Sequence, residues 1–349
     1  MSRNEWLLDR AKSIGGSDAP VILNNKIPVI YDHKFGQLHR IWASKLPVIE
    51  RYSLEMPSDS LDPVKHRRMI QGTNSEPLCR EYIGKYNRSV ATECFQELYR
   101  RDDFPMLHGS IDGEMTLDGE VCGIEIKTLG TRAKWWGSTV PYRVELQSRH
   151  NWFCRPSLKR FLVCAFKADD AIWDAVIRGA MTIEKGVESD LIKFAQWELE
   201  PTDFYEKECI KHLVSFWNDY VITGEVPNVD STKECKDVLD SLYEENDGLL
   251  EVTAEIESLI QKKIKADESY KEAKKIKDLV RNEFLKVFGG KKRLNSDRFS
   301  VSVSRQVRTD LNKSKLLKDH PNLYESYLTE TSFTKLNFTE KGKGRDEKK

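Results

Sequence analysis

Two carboxylates and a lysine in one short stretch could carry hydrolytic chemistry. Asp112 and Glu125 flank an Asp118-Gly119 dipeptide, and Lys127 follows Glu125 by two positions. Asp-Gly is a preferred pair for a two-residue hairpin turn. A hairpin closed there sets Asp112 opposite Glu125, with Cβ atoms about 4.5–5.5 Å apart. Along the second strand, Glu125 and Lys127 project from one face while Ile124 and Ile126 project from the other. The spacing therefore predicts two carboxylates and an ammonium on one face, with the reverse face anchored in a core. Facing carboxylates repel. A hard divalent cation such as Mg²⁺ or Mn²⁺ accepts oxygen ligands and removes that conflict. Lys127 can then stabilise charge developing on a phosphate, or orient and activate an attacking water. The same residues also fit an exposed strand face carrying a Glu–Lys pair. Asp112-Gly113 is itself a turn dipeptide, so a bulge there would shift the register.

Other segments have residue types of the same kind. Gly15-Gly16-Ser17 before a helical start offers backbone N–H groups and a hydroxyl to an anion, with Ser17 as an N-cap; a plain capping turn reads the same way. Glu76 precedes Pro77 inside a helical pattern, where the proline either kinks the helix or marks its first turn. Arg80, one turn further on, can pair with Glu76 or contact DNA. Tyr142, Arg143 and Gln147 lie on a helix predicted to begin at Pro141. Trp135 and Trp136 can stack on bases or pack in a core, and His108 reads as structural.

A carboxylate followed thirteen residues later by Glu-x-Lys resembles the PD-(D/E)xK nuclease core, with Ser110-Ile111-Asp112-Gly113 in place of Pro-Asp. Arg10-Ala11-Lys12-Ser13-Ile14-Gly15-Gly16-Ser17-Asp18-Ala19 is similar to the N-terminal signature of the lambda exonuclease-like family, also called the YqaJ viral recombinase family. Gln71 to Tyr82 resembles its G-x-x-x-E-P-x-x-R segment. Trp135-Trp136-Gly137, Val140-Pro141-Tyr142 and Gln147 resemble the elements after its catalytic strand. The motifs occur in order over roughly residues 8–220.

The resemblance implies a restriction-endonuclease-like α/β (α+β) core, a central mixed sheet flanked by helices. It implies a 5′→3′ exonuclease on double-stranded DNA ends, leaving 3′ single strands for a phage-type single-strand-annealing recombinase. One or two Mg²⁺ ions, with Mn²⁺ able to substitute, would be held by Asp112, Glu125, the Ile126 carbonyl and Glu76. Lys127 and Gln147 would complete the catalytic set, and Arg10 and Ser17 would hold the 5′-phosphate. Arg80, Tyr142 and Arg143 are further candidates for DNA contact. Glu145 stands where the family often has glutamine. Trimeric rings occur in the family, so a homo-oligomer is a further expectation. Two other readings stay open: another PD-(D/E)xK activity such as an endonuclease or junction resolvase, or a non-catalytic DNA-end-binding recombination scaffold.

These residues need elements to hold them. Residues 65–86 have helical spacing, 108–129 read as two strands around a tight turn, 141–155 as a helix, and 160–167 as a buried strand. Helices mixed with strands in this way indicate an α/β or α+β domain. The last third differs. Residues 249–288 lack Pro and Gly and carry an apolar stripe in alternating steps of three and four, with Lys263 and Lys277 in the stripe. A period-2 strand, Phe299 to Ser304, follows, and then Lys315-Leu316-Leu317-Lys318. The expected organisation is a nuclease domain over 1–230, a helical plus strand appendage over 231–335, and a basic tail over 336–349. The appendage reads as a DNA-contacting or partner-docking arm, with an oligomerisation coil as its competitor.

The 349 residues carry 56 basic and 56 acidic side chains, and this balance, taken alone, argues against a polyanionic partner. Local charge decides binding, however. Residues 237–257 carry eight acids and no base, whereas 261–293 carry twelve bases against five acids. Apolar runs are far shorter than the ~20 residues that span a bilayer, and the N-terminus lacks a signal-peptide core. Seven scattered cysteines, none in a CxxC, argue against a disulfide framework and a zinc site. The expectation is a soluble protein of the bacterial or phage-infected cytoplasm, with no membrane partner.

Overall fold

The computed structural model describes residues 3–24, 26–27, 38–46, 63–94, 97–242, 251–295, 297–304 and 313–328. The chain divides into two compact units, Met1–Leu242 and Tyr243–Lys349.

The first unit is organised by the hairpin that the Asp-Gly turn closes. Strand β3 (Gly113–Leu117) runs antiparallel to β4 (Glu120–Leu129). Asp118 at φ 52° and Gly119 at φ 86° take the left-handed conformations that a type I′ turn requires. Gly113 faces Ile124 and Leu117 faces Glu120, the pairing symmetrical about that turn. The symmetry holds to the end of the ladder at Gly113 and is lost one residue beyond it. The Asp112 N–H bonds the Ile124 carbonyl (3.1 Å), so Asp112 stands just outside the paired strand instead of directly opposite Glu125.

β4 then pairs in parallel with β5 (Arg160–Lys167), and β5 antiparallel with β6 (Lys193–Glu198), giving a mixed sheet of order β3-β4-β5-β6. A parallel pair needs a crossover, and the Tyr142–Cys154 helix supplies it. β5 is buried over Phe161–Phe166, as a strand covered on both faces must be. Ile124, Ile126, Leu162, Cys164 and Phe166 pack on one face against Cys79 and Ile83 of the Pro63–Tyr86 helix and Trp173 of the Asp170–Ile177 helix. Phe161 and Val163 on the other face pack with Leu158 and Trp152. Glu125 and Lys127 alternate with the isoleucines and so face the crossover helix. Pro77 lies well inside the Pro63–Tyr86 helix, which continues through it, so it does not mark a first turn.

A separate two-stranded sheet, β1 (Tyr99–Arg101) and β2 (Phe104–Gly109), leads into Asp112. The N-terminal segment is laid on β2: Ile14 N–H bonds Met106 O (2.8 Å), and His108 N–H bonds Ile14 O (2.9 Å).

The boundary of the first unit lies beyond residue 230. The Lys233–Leu242 helix buries Cys235 and Val238, and Val238 joins the core cluster built on Trp42 and Leu213, so residues 233–242 belong to this unit. In the second unit, one helix runs over Ala254–Phe288. Thr253 Oγ1 accepts from Ile256 N–H (3.3 Å) at its start, and Gly289 closes it at φ 50°. Its 35 residues make a rod about 52 Å long, and Phe288 is its one buried residue. The expected strand is β8 (Ser300–Ser302), paired with β7 (Arg293–Asn295). Lys315 to Lys318 lie in a helix, Lys313–Asp319. The basic tail and residues 243–250 of the acidic stretch fall outside the described residues. Among the described residues no helix is long and apolar enough to cross a membrane.

Candidate active site

Glu125 is the centre of the site. Although it is 1% exposed, its carboxylate is held by three side chains. Oε1 accepts from Lys127 Nζ (2.5 Å) and from Gln147 Nε2 (2.7 Å), and Oε2 accepts from Asn151 Nδ2 (3.1 Å). Gln147 and Asn151 are four residues apart on the crossover helix and so share one face of it. Asp112 reaches across the end of the hairpin, its Oδ2 accepting the Ile126 N–H at 2.7 Å. The expected ligand residue Ile126 therefore contributes its N–H to holding Asp112.

Glu76 joins from the Pro63–Tyr86 helix through Arg80. The buried guanidinium donates to Glu76 Oε1 (2.8 Å) and to the Asp112 carbonyl (2.8 Å), with Glu93 at 3.7 Å. Of the two readings of Arg80, the structure shows the pairing with Glu76, and its polar atoms position the acids.

Burial holds the Asp112 carboxyl well above the usual carboxylate range, and the Glu125 charge raises it further against the pull of Lys127. Burial also raises Glu76, outweighing Arg80. Burial alone would lower Lys127, but Glu125 and Asp112 outweigh it and keep the ammonium above its ordinary value. Asp112 and Glu76 thus hold protons more tightly than free carboxyls do, and a hard cation placed among them would compete with those protons. The donor set of Glu76, Asp112 and Glu125, all oxygen, fits Mg²⁺ or Mn²⁺. They are not drawn into one coordination shell, because Glu125 is turned onto its three donors and Asp112 onto Ile126.

Among the described residues, the group of three potential ligands whose ligating atoms all lie within 4.8 Å is instead His39, Asp230 and Cys235. Ordinary bonds account for that group. His39 Nε2 lies 3.2 Å from Pro227 O, and Asp230 Oδ1 accepts from Thr232 N–H (2.8 Å).

The N-terminal motif lies beside the site. Ser17 is not an N-cap, since the short helix begins at Ala19 with Asp18 at the cap position. Asp18 Oδ2 instead accepts from Gly15 N–H (3.0 Å) and pairs with Lys45 (2.9 Å). Exposed Ser17 accepts from Arg10 Nη2 at 3.4 Å, and the Arg10 guanidinium lies 4.5 Å from the Trp6 ring centroid. Tyr142 is half-buried against the first core cluster, and Arg143 is exposed. Glu145 pairs with Arg149 (2.8 Å) and takes no part in holding Glu125. Trp135 and Trp136 pack near Trp197, with centroids 6.4 and 5.5 Å away. A cavity of about 230 Å³ on the far side of the crossover helix, lined by Arg101, Arg149, Trp152 and Tyr205 among others, contains none of the site residues.

Asn151 was missed from the sequence. Its signal was its position four residues after Gln147, one helical turn along the same face.

Behind the site lie two buried histidines. His108 Nδ1 meets Ser13 Oγ (2.8 Å), and His150 meets Tyr205 OH (2.8 Å) and His108 O (3.0 Å). Burial pushes the imidazoles down, to about 2 for His108 and about 4 for His150. Both stay neutral in the folded protein at acidity that protonates the unfolded chain, whose histidines titrate near about 6.5. Their contribution is therefore complete above about pH 6.5 and is lost as pH falls toward the folded values, at up to about 1.4 kcal/mol per pH unit for each histidine. Urea midpoints should fall between pH 7 and pH 5, and an unchanged midpoint would contradict this assignment.

No family model matches the chain. A protein of Bacillus subtilis (strain 168) named uncharacterized protein YqaJ is 24% identical over 352 residues, covering 97% of this chain and 95% of that protein. The likeness thus spans both units.

Proposed function

We propose that this chain is a metal-dependent deoxyribonuclease of the PD-(D/E)xK kind, a 5′→3′ exonuclease on double-stranded DNA ends. The observation that carries the reading is the convergence on one buried carboxylate, Glu125, of Lys127 and Gln147, with Asp112 anchored beside it on Ile126. The near full-length likeness to a protein named YqaJ supports the same family as the motifs do, although that name carries no activity. Glu76, Asp112, Glu125 and the Ile126 carbonyl would hold one or two Mg²⁺ ions, with Mn²⁺ able to substitute. A bound divalent cation lowers the pKa of water and offsets charge on phosphate oxygens.

The protein's own groups supply orientation and electrostatics. Lys127 is 27% exposed and charged, and it can direct a water or face a phosphate oxygen while Gln147 keeps Glu125 in place. Arg80 fixes the backbone at Asp112, so the acids approach each other without relaxing apart. Arg10 and Ser17 offer a guanidinium and a hydroxyl to a terminal phosphate. Tyr142 and Arg143 would provide further contacts to the DNA, and so would the Lys-rich 254–288 helix. The product would be a 3′ single strand for an annealing recombinase, and a ring of three copies would make the digestion processive.

Polarity is tested with duplexes labelled at either the 5′ or the 3′ terminus of one strand. Early release of the 5′ label as a mononucleotide is expected; early release of the 3′ label would overturn the proposed direction.

A further inference from the structure

Asn151 holds together three parts of the site that come from distant stretches of chain. Its side chain is 1% exposed. Nδ2 donates to Glu125 Oε2 (3.1 Å), and Oδ1 accepts from the Ser110 N–H (3.2 Å), two residues before Asp112. A backbone donor at one end and a carboxylate acceptor at the other leave the amide a single workable orientation. Gln147 also braces Glu125, but on Oε1, an oxygen it shares with Lys127. Oε2 is set by Asn151.

The third contact is steric. A methyl group built on Gly16 would lie 2.3 Å from Asn151 Oδ1 and 2.9 Å from its Cγ, so the Gly15-Gly16-Ser17 loop rests directly on the amide. Gly109 is also pressed against the Asn151 backbone, where an added carbon would meet the carbonyl oxygen at 2.9 Å. The amide therefore cannot move away from the loop without moving the Ser110 and Glu125 bonds. The loop in turn carries Ser17, bonded to Arg10.

We propose that Asn151 is a positioning residue that couples occupancy of the Gly15–Ser17 loop by a terminal phosphate to the placement of Glu125 and Asp112. The inference rests on the nuclease reading above and adds to it a reciprocal link between end recognition and cation binding. A phosphate that draws the loop into one position fixes the amide, and the amide fixes the Glu125 oxygen that faces it. By linkage, a 5′-phosphorylated end then tightens cation binding, and the cation tightens binding of that end by the same factor.

The test measures Mn²⁺ affinity by calorimetry in the presence of short duplexes made resistant to cleavage by phosphorothioate linkages, ending in 5′-phosphate or 5′-hydroxyl. In the unaltered protein the phosphate should tighten Mn²⁺ binding about fivefold or more. Gly16→Ala pushes on the amide and leaves every hydrogen-bonding group present; Asn151→Asp keeps the acceptor for Ser110 and removes the donor to Glu125. Both variants should lose the dependence on phosphate, bringing the two affinities together. A merely structural Asn151 would lower both affinities and leave their ratio unchanged, which would overturn the inference. If Gly16→Ala does not fold, Asn151→Asp decides alone. Equal Mn²⁺ affinities with both duplexes in an unaltered protein that still digests DNA would sink the coupling and spare the nuclease reading. A protein that neither binds Mn²⁺ nor digests DNA removes both.

Discussion

Replacing Lys127 with alanine should lower the rate of duplex-end digestion by about 10³-fold or more while leaving binding to the same ends largely intact. The asymmetry follows from where the lysine sits. Its ammonium is 2.5 Å from Glu125 Oε1, and it is 27% exposed beside a buried carboxylate, so it offers its charge to an approaching phosphate. DNA binding depends on phosphate contacts spread over other basic groups. Glu125 keeps Gln147 and Asn151 in the variant, which preserves its orientation and isolates the effect of the missing charge. Single-turnover digestion and filter binding on one preparation separate the two quantities. Digestion at the unaltered rate would remove Lys127 from the active site, and equal loss of binding and digestion would make it a binding residue.

Asp112→Asn should move activity and stability in opposite directions. The carboxyl is buried, next to Glu125 and within the influence of Glu76, and this crowding holds its pKa well up. A group whose folded pKa lies above its unfolded value adds full stability below the unfolded value and loses it as pH rises through the folded one. At neutral pH, then, the Asp112 carboxyl costs the cation-free protein stability, whether it is ionised beside Glu125 or holds a proton. Asparagine has the same shape, and its amide oxygen can still accept the Ile126 N–H that Asp112 takes at 2.7 Å. The variant should melt at a higher temperature than the unaltered protein in EDTA, and Mg²⁺ should raise its melting temperature much less. Its Mg²⁺-dependent digestion should fall by about 10³-fold or more. A variant that melts lower in EDTA would show that Asp112 is held by favourable bonds and is not crowded by its neighbours.

Much of this site was legible in the sequence because a hairpin converts spacing into geometry. The Asp118-Gly119 turn determined which residues face each other along β3 and β4, and strand alternation determined that Glu125 and Lys127 share a face. The same rules failed one residue beyond the ladder. Asp112 leaves the strand, where pairing no longer dictates position and a side-chain bond to Ile126 takes over. β5 was readable as a run of apolar residues, but β6 was not, since Lys193–Glu198 is half-buried and mixed in composition. Asn151 and the burial of Arg80 depend on contacts between elements far apart in the chain, and no local pattern contains them. The Ser17 cap failed because Asp18 competes for the same role and turns its carboxylate back to Gly15. The domain boundary moved for a similar reason: Val238 and Cys235 bury against the first unit despite their acidic surroundings. Charge balance decided little, because 56 acids and 56 bases are arranged locally, with acids gathered around Glu125 and over 237–257 and bases over 261–293.

The most direct measurement of the central claim is digestion of linear and covalently closed circular duplexes by the purified full chain, with 5′-phosphate or 5′-hydroxyl ends, in Mg²⁺ and in EDTA. The expected result is degradation of the linear duplex in Mg²⁺ alone, faster from phosphorylated ends, with the closed circle intact. Cutting of the closed circle would replace the exonuclease with an endonuclease, and a linear duplex that survives in Mg²⁺ as it does in EDTA would contradict the assignment of Asp112, Glu125 and Lys127 to catalysis.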